Sequence, residues 1–247
     1  MKVVGIIPSR YCSTRFPGKP LAMIKGKTMI QRVCEQAWKS KLDAVVVATD
    51  DIRIADEVLK FGGKYVMTDP RHQSGTDRCS EAVEILEEPY DAVINIQGDE
   101  PFIDPEHINL LVDMISRDDT QLASLVKKVE DEEDLFGSAK VKVVMDKTGN
   151  ALYFSRSPIP YLRNVAHEKW LQKGCFYQHI GIYAYKTETL HQIARMQPSA
   201  LEQSESLEQL RWLENGLSIR MAVVTGDSIS IDTPDDLAKA IEKAQRD

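Results

Sequence analysis

The first half of the chain alternates short, continuous apolar runs with segments of helical periodicity. Four runs predict strands, at residues 3–7, 44–48, 65–67 and 92–96. The runs at 3–7 and 44–48 are typical of buried strands, and the run at 65–67 predicts a short one. Helical spacing predicts helices between and after them: residues 29–37, 52–61 and 79–86. The alternation predicts βαβ units and therefore a parallel, right-handed sheet with helices on both faces. Such sheets bind ligands beyond the carboxyl ends of their strands, where the loops at 8–20 and 97–101 lie.

The second half of the chain has a more mixed pattern. Strands are predicted at residues 141–145, 180–185 and 219–224, and a helix is predicted at 201–213. A last helix is predicted to start at Asp232-Thr233-Pro234, since Asp or Thr before a first-turn proline is a start signal. No repeat or long linker divides the sequence. Residues 1–247 are therefore predicted to form one domain, with residues 155–178 as an excursion or dimer contact.

Composition narrows the class of protein. The 247 residues are 43% hydrophobic and 28% charged, which suits a globular chain with a full core. No apolar run approaches the ~20 residues that span a bilayer, and the first run is too short for a secretory signal. We therefore expect a cytoplasmic chain with no membrane insertion. The four cysteines lack zinc-site spacing and are expected to be reduced thiols.

The distribution of charge points to a small anionic ligand. A formal net charge of −7 argues against nonspecific nucleic-acid binding, which needs a basic surface. However, residues 1–34 contain seven Lys or Arg and no Asp or Glu. An acidic protein that concentrates positive charge in one segment is suited to bind a compact anion, although a basic face arising by chance remains an alternative.

The loop at residues 8–20 carries the cations Arg10, Arg15 and Lys19 among small hydroxyl residues and prolines. A triphosphate needs several fixed cations and close backbone donors, so this loop is a candidate triphosphate site. It matches neither of two familiar phosphate motifs. Leu21 stands where a P-loop ending at residues 26–28 would need glycine, and no GxGxxG follows the first strand.

Seven sequence blocks resemble those of the sugar nucleotidylyltransferases and, among these, the CMP-Kdo synthetases, which activate 3-deoxy-D-manno-octulosonate (Kdo). The first block is Gly5-Ile6-Ile7-Pro8-Ser9-Arg10 with Ser13-Thr14-Arg15-Phe16-Pro17-Gly18-Lys19-Pro20-Leu21. The others are residues 72–78, 95–101, 151–156, 179–185, 207–211 and 231–234. They occur in the family's order over nearly the whole chain. The resemblance implies an α/β, Rossmann-like nucleotidyltransferase fold of the nucleotide-diphospho-sugar transferase type, with a mostly parallel mixed sheet flanked by helices.

The resemblance also implies a reaction, a cofactor and a set of site residues. The reaction is cytidylyl transfer from CTP to Kdo for lipopolysaccharide biosynthesis, with Mg²⁺ as cofactor and a homodimer as the assembly. Arg10, Lys19 and Asp99 are the implied catalytic residues, and Asp99 and Asp232 the implied Mg²⁺ ligands. The implied substrate-binding residues are Ser9, Arg10, Arg15, Lys19, Gln73, Ser74, Gly75, Arg78, Gln97, Arg156, His179, Tyr183 and Glu208.

Several of these residues have a simpler structural interpretation. Asp99 can be a turn residue, Asp232 a helix N-cap, and residues 72–76 a capping loop. Arg156 can be a surface arginine, His179 a satisfied core histidine, and Glu208 part of the solvated face of a helix.

Two alternative functions remain open. One is a cytidylyltransferase for a related acid sugar, of the 8-amino-Kdo or sialic acid type. The other is a nucleotide-binding regulator without turnover. The regulator would lack a metal carboxylate or a loop cation, yet Arg10, Lys19, Asp99 and Asp232 are all present.

Overall fold

The computed structural model describes residues 1–12, 16–226 and 230–243. Its strands are β1 (Val3–Ser9), β2 (Met23–Ile24), β3 (Lys27–Thr28), β4 (Ala44–Thr49), β5 (Lys64–Met67), β6 (Ala92–Asn95), β7 (Leu122–Lys128), β8 (Lys142–Met145), β9 (Ala151–Ser155), β10 (Tyr177–Lys186) and β11 (Arg220–Val224). Its α-helices are α1 (Met29–Ala37), α2 (Ile52–Lys60), α3 (Gly75–Ile85), α4 (Pro105–Ile115), α5 (Glu132–Phe136), α6 (Trp170–Lys173), α7 (Thr187–Ala194), α8 (Ala200–Glu205), α9 (Gln209–Glu214) and α10 (Pro234–Lys243). Short 3₁₀ helices lie at Lys19–Leu21 and His167–Lys169. All seven predicted strands are confirmed, with ends that differ by one or two residues in most cases.

The main sheet is mixed and mostly parallel. Its strand order is β11-β7-β10-β6-β1-β4-β5, and β8 and β9 extend it beside β10. β10 runs antiparallel to both β6 and β7, whereas β6, β1, β4 and β5 are mutually parallel neighbours. The predicted fold class is therefore confirmed. Because β10 is antiparallel, its amino-terminal half lies at the same edge as the carboxyl ends of β1 and β6.

The alternation of side chains along β1 explains why both faces of the sheet are covered. Val3 and Ile7 pack with α1, α2 and α4, while Val4 and Ile6 face α3, α7 and α9 on the other side. All four side chains are at most 1% exposed, and burying each contributes about 1.5–3 kcal/mol relative to an exposed position. Helices therefore cover both faces of the sheet, and the edge that carries the loops is the part left open to a ligand.

The helix predicted at residues 201–213 is two helices, so that prediction is wrong in its continuity. Ser206 adopts a left-handed conformation (φ 53°, ψ 49°) and separates α8 from α9. Arg211 joins the two pieces, since its Nε and Nη2 donate to the Glu202 carboxylate at 2.7 and 2.6 Å. The break changes which side of the segment points inward, which matters for Glu208.

Several elements escaped the sequence analysis, namely β2, β3, β7, β9 and the helices α4 to α7; β7 is the longest of these strands and α4 the longest of these helices. β7 carries a polar residue, Ser124, in its middle, and Ser124 Oγ donates toward the carbonyls of Ile180 and Ile182 where the β7–β10 register shifts. α4 is capped by Asp104, which accepts from Glu106 N, and starts with Pro105. Within the described residues, no helix is long and apolar enough to cross a bilayer.

Candidate active site

A cavity of about 290 Å³ opens at the edge formed by the carboxyl ends of β1 and β6. Ten of the sequence-predicted site residues line it: Ser9, Arg10, Lys19, Gln73, Ser74, Gly75, Arg78, Gln97, Asp99 and Asp232. Pro8, Pro20, His72 and Gly98 complete the lining. Arg15 lies outside the described residues. The expectation that the loops at 8–20 and 97–101 share one rim is confirmed.

Lys19 joins the two predicted metal ligands. Its Nζ lies 2.8 Å from Asp99 Oδ2 and 3.2 Å from Asp232 Oδ1. The two aspartates are also tied through the backbone, since Ile231 N donates to Asp99 O at 2.9 Å. Two carboxylates from distant parts of the sequence therefore converge on one cation.

Asp232 does not cap the last helix. The cap is Thr233, whose Oγ1 accepts from Asp236 N at 3.2 Å, while Asp236 Oδ2 accepts from Thr233 N at 2.9 Å. This reciprocal pair is a capping box. Because Thr233 satisfies the helix end, the Asp232 carboxylate remains for Lys19, and the alternative interpretation of Asp232 as the N-cap is wrong.

The donor set suits a divalent cation that also binds phosphate. No cluster of three or more His, Cys, Asp or Glu that could hold a metal occurs in residues 1–12, 16–226 and 230–243. Mg²⁺ in phosphate-handling sites is commonly held by one or two carboxylates, with water and substrate oxygens completing its shell. Asp99 and Asp232 fit that requirement, and carboxylate and phosphate ligands also suit Mn²⁺.

Ser9 and Gly98 form the floor of the cavity. Ser9 is 4% exposed, and its Oγ has no hydrogen-bond partner in the described part of the chain. A Cβ on Gly98 would lie 2.9 Å from Ser9 Oγ and 3.0 Å from Pro8 O. Gly98 therefore lets the loop after β6 approach the end of β1. A buried hydroxyl without a partner in a cavity is a group that a polar ligand can satisfy.

The start of α3 forms another wall. Ser74 is its N-cap, accepting from Asp77 N at 3.1 Å, and Gly75 packs against Pro8, whose Cγ would lie 3.3 Å from an added Cβ. The capping role of this loop is thus confirmed, and the same residues face the cavity. The first N–H groups of a helix lack helical partners, so they can serve a ligand.

Arg78 lies deeper than the predicted site suggested. It is 3% exposed, and its Nη2 donates to Asp50 Oδ2 at 2.9 Å while Nη1 donates to Thr68 Oγ1. A buried charge needs such a partner. Asp50 and Thr68 were not found by sequence reasoning, because nothing in the local pattern links them to residue 78.

His179 and Tyr183 lie on β10 beside the cavity but do not line it. Tyr183 pairs with Asn95 at the end of β6, so His179 extends past that strand's carboxyl end. His179 Nε2 lies 2.9 Å from Ser124 Oγ, and the ring packs against Phe154 at a centroid distance of 5.1 Å. Burial lowers the pKa of His179 to about 3, which keeps its imidazole neutral.

Glu208 is not on a solvated face, contrary to that interpretation of the helix. Its Oε2 accepts from Thr76 Oγ1 at 2.9 Å, which ties α9 to the first turn of α3. Burial raises the pKa of Glu208. Burial of Tyr183, together with the nearby charge of Glu208, raises the pKa of the Tyr183 hydroxyl well above its usual value. Glu208 and Tyr183 thus belong to one polar group next to the cavity.

Arg156 lies outside the cavity lining and is held by backbone carbonyls. Its Nε donates to Glu205 O at 2.7 Å, Nη1 to Ser138 O at 3.1 Å and Nη2 to Ser206 O at 3.2 Å. A guanidinium has five N–H groups, so these bonds leave two available. The structure therefore gives Arg156 a bracing role and does not bring it to the ten cavity residues.

Comparisons with known proteins agree with this geometry. A family described as cytidylyltransferase matches residues 4–219. The 3-deoxy-manno-octulosonate cytidylyltransferase of Cytophaga hutchinsonii is 55% identical over 241 residues, covering 97% of this chain and 96% of that protein. The protein of the same name from Parabacteroides distasonis is 53% identical over 98% of this chain and 97% of its own length.

A solved structure extends the similarity to three dimensions. A CMP:2-keto-3-deoxy-manno-octonic acid synthetase complexed with CTP superposes with a TM-score of 0.92 at 42% identity, covering 100% of this chain and 99% of that one. The resemblance seen in the seven sequence blocks is confirmed. The chain belongs to the cytidylyltransferase family and, within it, to the 3-deoxy-manno-octulosonate cytidylyltransferases.

Proposed function

We propose that the chain transfers a cytidylyl group from CTP to Kdo, which yields CMP-Kdo and pyrophosphate. The observation that carries this proposal is the contact of Lys19 with both Asp99 and Asp232 inside the cavity. One cation and two carboxylates meet at one point, which is the arrangement that a bound phosphate and a divalent metal would need. The identity of 55% to a relative of that named activity supports the same reaction.

In the proposed reaction, the anomeric hydroxyl of the sugar acid attacks the α-phosphorus of CTP. A new P–O bond forms in line with the bond to the β-phosphate, which breaks; the hydroxyl proton passes to solvent water, and pyrophosphate leaves. Arg10 and Lys19 offset the charge that develops on the leaving group, with Arg15 as a further predicted contact. Mg²⁺, when held by Asp99 and Asp232, supplies charge neutralisation and alignment of the phosphate oxygens.

The base and sugar would occupy opposite ends of the cavity. Gln73, Ser74 and Gly75 offer the polar groups suited to the edge of cytosine, and Arg78 supports that wall through its buried pair. On the sugar side, Gln97 lines the cavity just after β6, the strand that pairs with β10. We propose that the hydroxyls of the sugar contact four residues, namely Gln97, His179, Tyr183 and Glu208.

Arg156 is the proposed partner of the Kdo carboxylate. Its three bonds to carbonyls fix the guanidinium and leave two N–H groups, which is the number that a carboxylate accepts from an arginine fork. The fixed position would lower the entropy lost on binding.

The activity is tested by mixing the protein with Mg²⁺ and each of CTP, UTP, ATP and GTP. Each nucleotide is paired with Kdo, 8-amino-Kdo or N-acetylneuraminate, and CMP-sugar and pyrophosphate are measured together. We expect product from CTP with Kdo. Product only with another acid sugar would overturn the acceptor assignment, and CTP binding without any product would favour the regulator.

The metal role is tested by Asp99→Asn and Asp232→Asn. Asp235→Asn is the matched control, because Asp235 is exposed in the first turn of α10. We expect each ligand variant to lose Mn²⁺ binding and at least a hundredfold in rate, and the control to keep both. Unchanged Mn²⁺ affinity in Asp232→Asn would contradict the two-carboxylate site.

A homodimer, the single-domain boundary and a cytoplasmic location remain predictions. The excursion at 155–178 places Trp170 and Phe176 in a small apolar cluster with Leu135 and leaves Tyr161 71% exposed. Sedimentation of the purified chain at several concentrations would test the dimer.

A further inference from the structure

The ring of Tyr11, the residue after Arg10, is covered by a cation from helix α2. The guanidinium carbon of Arg53 lies 3.3 Å from the centre of the Tyr11 ring. This stacking of a guanidinium on an aromatic face is a cation–π contact. It joins the cation-bearing loop to an element outside the cavity, since neither Tyr11 nor Arg53 lines that cavity.

Arg53 is held in place by a second interaction. Its Nε and Nη2 donate to the two oxygens of Asp51 at 2.8 and 2.6 Å. Asp51 also accepts from Arg53 N at 3.0 Å and is the N-cap of α2. One carboxylate therefore fixes both the start of the helix and the plane of the guanidinium. A bidentate pair of this kind restricts direction as well as distance.

Tyr11 in turn closes the base of the loop. Its carbonyl accepts from Gly18 N at 2.9 Å, so residues 11 and 18 form a neck. Gly18 has φ 72°, and a Cβ there would lie 3.2 Å from both Cζ and the hydroxyl of Tyr11. Gly18 is therefore required by its conformation and by its contact with the ring.

Two of the cations that line the cavity flank this neck. Arg10 directly precedes Tyr11, and Lys19 directly follows Gly18. The neck is fixed to the sheet, because Ser9 on β1 pairs with Thr49 on β4, two residues before Asp51. A shift of Tyr11 would move both cations relative to the carboxyl edge of the sheet.

We propose that Asp51, Arg53 and Tyr11 form a clamp that positions Arg10 and Lys19 for the triphosphate of CTP. These are positioning residues that do not touch the substrate, and the inference rests on the proposed function. A displacement of about 1 Å in reacting or binding groups can cost up to a hundredfold in rate. Because the clamp acts on the phosphate side alone, its loss should affect CTP far more than the sugar acid.

The test uses Arg53→Met and Tyr11→Leu, each of which removes one half of the stack. Lys60→Met is the matched control, because Lys60 lies on the same helix, carries the same charge and forms its ion pair with Glu57 while 73% exposed. Tyr11→Phe is the conservative variant that keeps the ring. Each protein is assayed for KM of CTP, KM of Kdo, kcat and Tm.

We expect Arg53→Met and Tyr11→Leu to raise the KM for CTP about tenfold and to leave the KM for Kdo within twofold. Lys60→Met and Tyr11→Phe should match the parent protein. The double variant Arg53→Met/Tyr11→Leu should be no worse than either single one, since both remove the same contact. Additive losses, equal changes in both KM values, or an Arg53→Met protein indistinguishable from Lys60→Met would overturn the clamp.

Failure of the proposed function gives a different result. In that case the parent protein itself forms no CMP-Kdo. The clamp is then tested by measuring the affinity of each variant for CTP by calorimetry. We expect Arg53→Met and Tyr11→Leu to bind CTP more weakly than the parent protein, and Lys60→Met and Tyr11→Phe to bind it equally well. Equal CTP affinity in Arg53→Met and Lys60→Met would overturn the clamp independently of turnover.

Discussion

The ammonium of Lys19 lies 2.8 Å from a carboxylate oxygen of Asp99, and the two side chains are only 16% and 22% exposed. At such a site the pair is screened less than a surface ion pair. Lys19 thus neutralises the same carboxylate that is proposed to bind Mg²⁺. Both the two aspartates and the proposed triphosphate of CTP are anionic partners for Lys19. The aspartates and the triphosphate would therefore compete for its ammonium group.

This competition predicts opposite effects of Lys19→Met on metal binding and on rate. We expect Mn²⁺ to bind the nucleotide-free variant more tightly, because the competing cation is gone, and kcat to fall about 10²–10³-fold. Mn²⁺ electron paramagnetic resonance and a CMP-Kdo assay measure the two quantities. Lys39→Met, which changes an exposed lysine on the surface, is the control. Unchanged Mn²⁺ affinity in Lys19→Met would contradict the competition.

Gly98→Ala should damage the floor of the cavity. The added methyl group would lie within 3.0 Å of Ser9 Oγ and Pro8 O, and overpacking of this kind typically costs about 1–3 kcal/mol of unfolding free energy. Urea denaturation measures the loss. Gly181→Ala is the matched control, because no described atom lies within 4 Å of its added Cβ. Equal stability of the two variants would show that the loop accommodates the methyl group.

The half-buried His179 predicts how stability responds to acid. Burial lowers the pKa of His179 to about 3, whereas an unfolded histidine titrates near 6.5. The unfolded state therefore binds the extra proton first, so the free energy of unfolding falls as pH drops from about 6.5 toward 3. His179→Gln lacks this titration and should lose less stability between pH 7 and 5. Parallel losses in urea titrations would contradict the neutral imidazole.

A substitution of Arg156 distinguishes its structural role, through bonds to backbone carbonyls, from its proposed role in binding the Kdo carboxylate. Arg156→Ala removes three bonds to carbonyls and should lower the free energy of unfolding by about 1–3 kcal/mol. If its free N–H groups also bind the Kdo carboxylate, the KM for Kdo should rise at least tenfold while the KM for CTP changes little. Arg163→Ala, at an exposed position nearby in sequence, is the control. Lost stability with an unchanged KM for Kdo would leave Arg156 with the bracing role alone.

The central strands β1, β4 and β6 were predictable because they are buried on both faces. Continuous apolar runs such as residues 44–48 leave little choice of structure, and the alternation with helices then determines the class of sheet. β7 was missed because Ser124 interrupts its pattern, and that serine is explained only by the carbonyls of the neighbouring strand. Long-range pairing of this kind leaves no local signal.

The site was predictable to the extent that its residues follow strands in sequence. Asp99 comes directly after β6, whereas Asp232 needed a decision between cap and ligand. The spacing of Thr233 and Asp236 fits a capping box and was the available signal. The inward direction of Glu208 was not predictable, because helical periodicity continues across the break at Ser206.

The tie between Ile231 and Asp99 has a consequence for the timing of synthesis. Every strand of the sheet precedes residue 225, while the second carboxylate arrives at residue 232 with α10. On the ribosome, the sheet and the pair of Lys19 with Asp99 can therefore form before Asp232 joins them. A polypeptide released by premature termination after β11 would hold one carboxylate and no complete site.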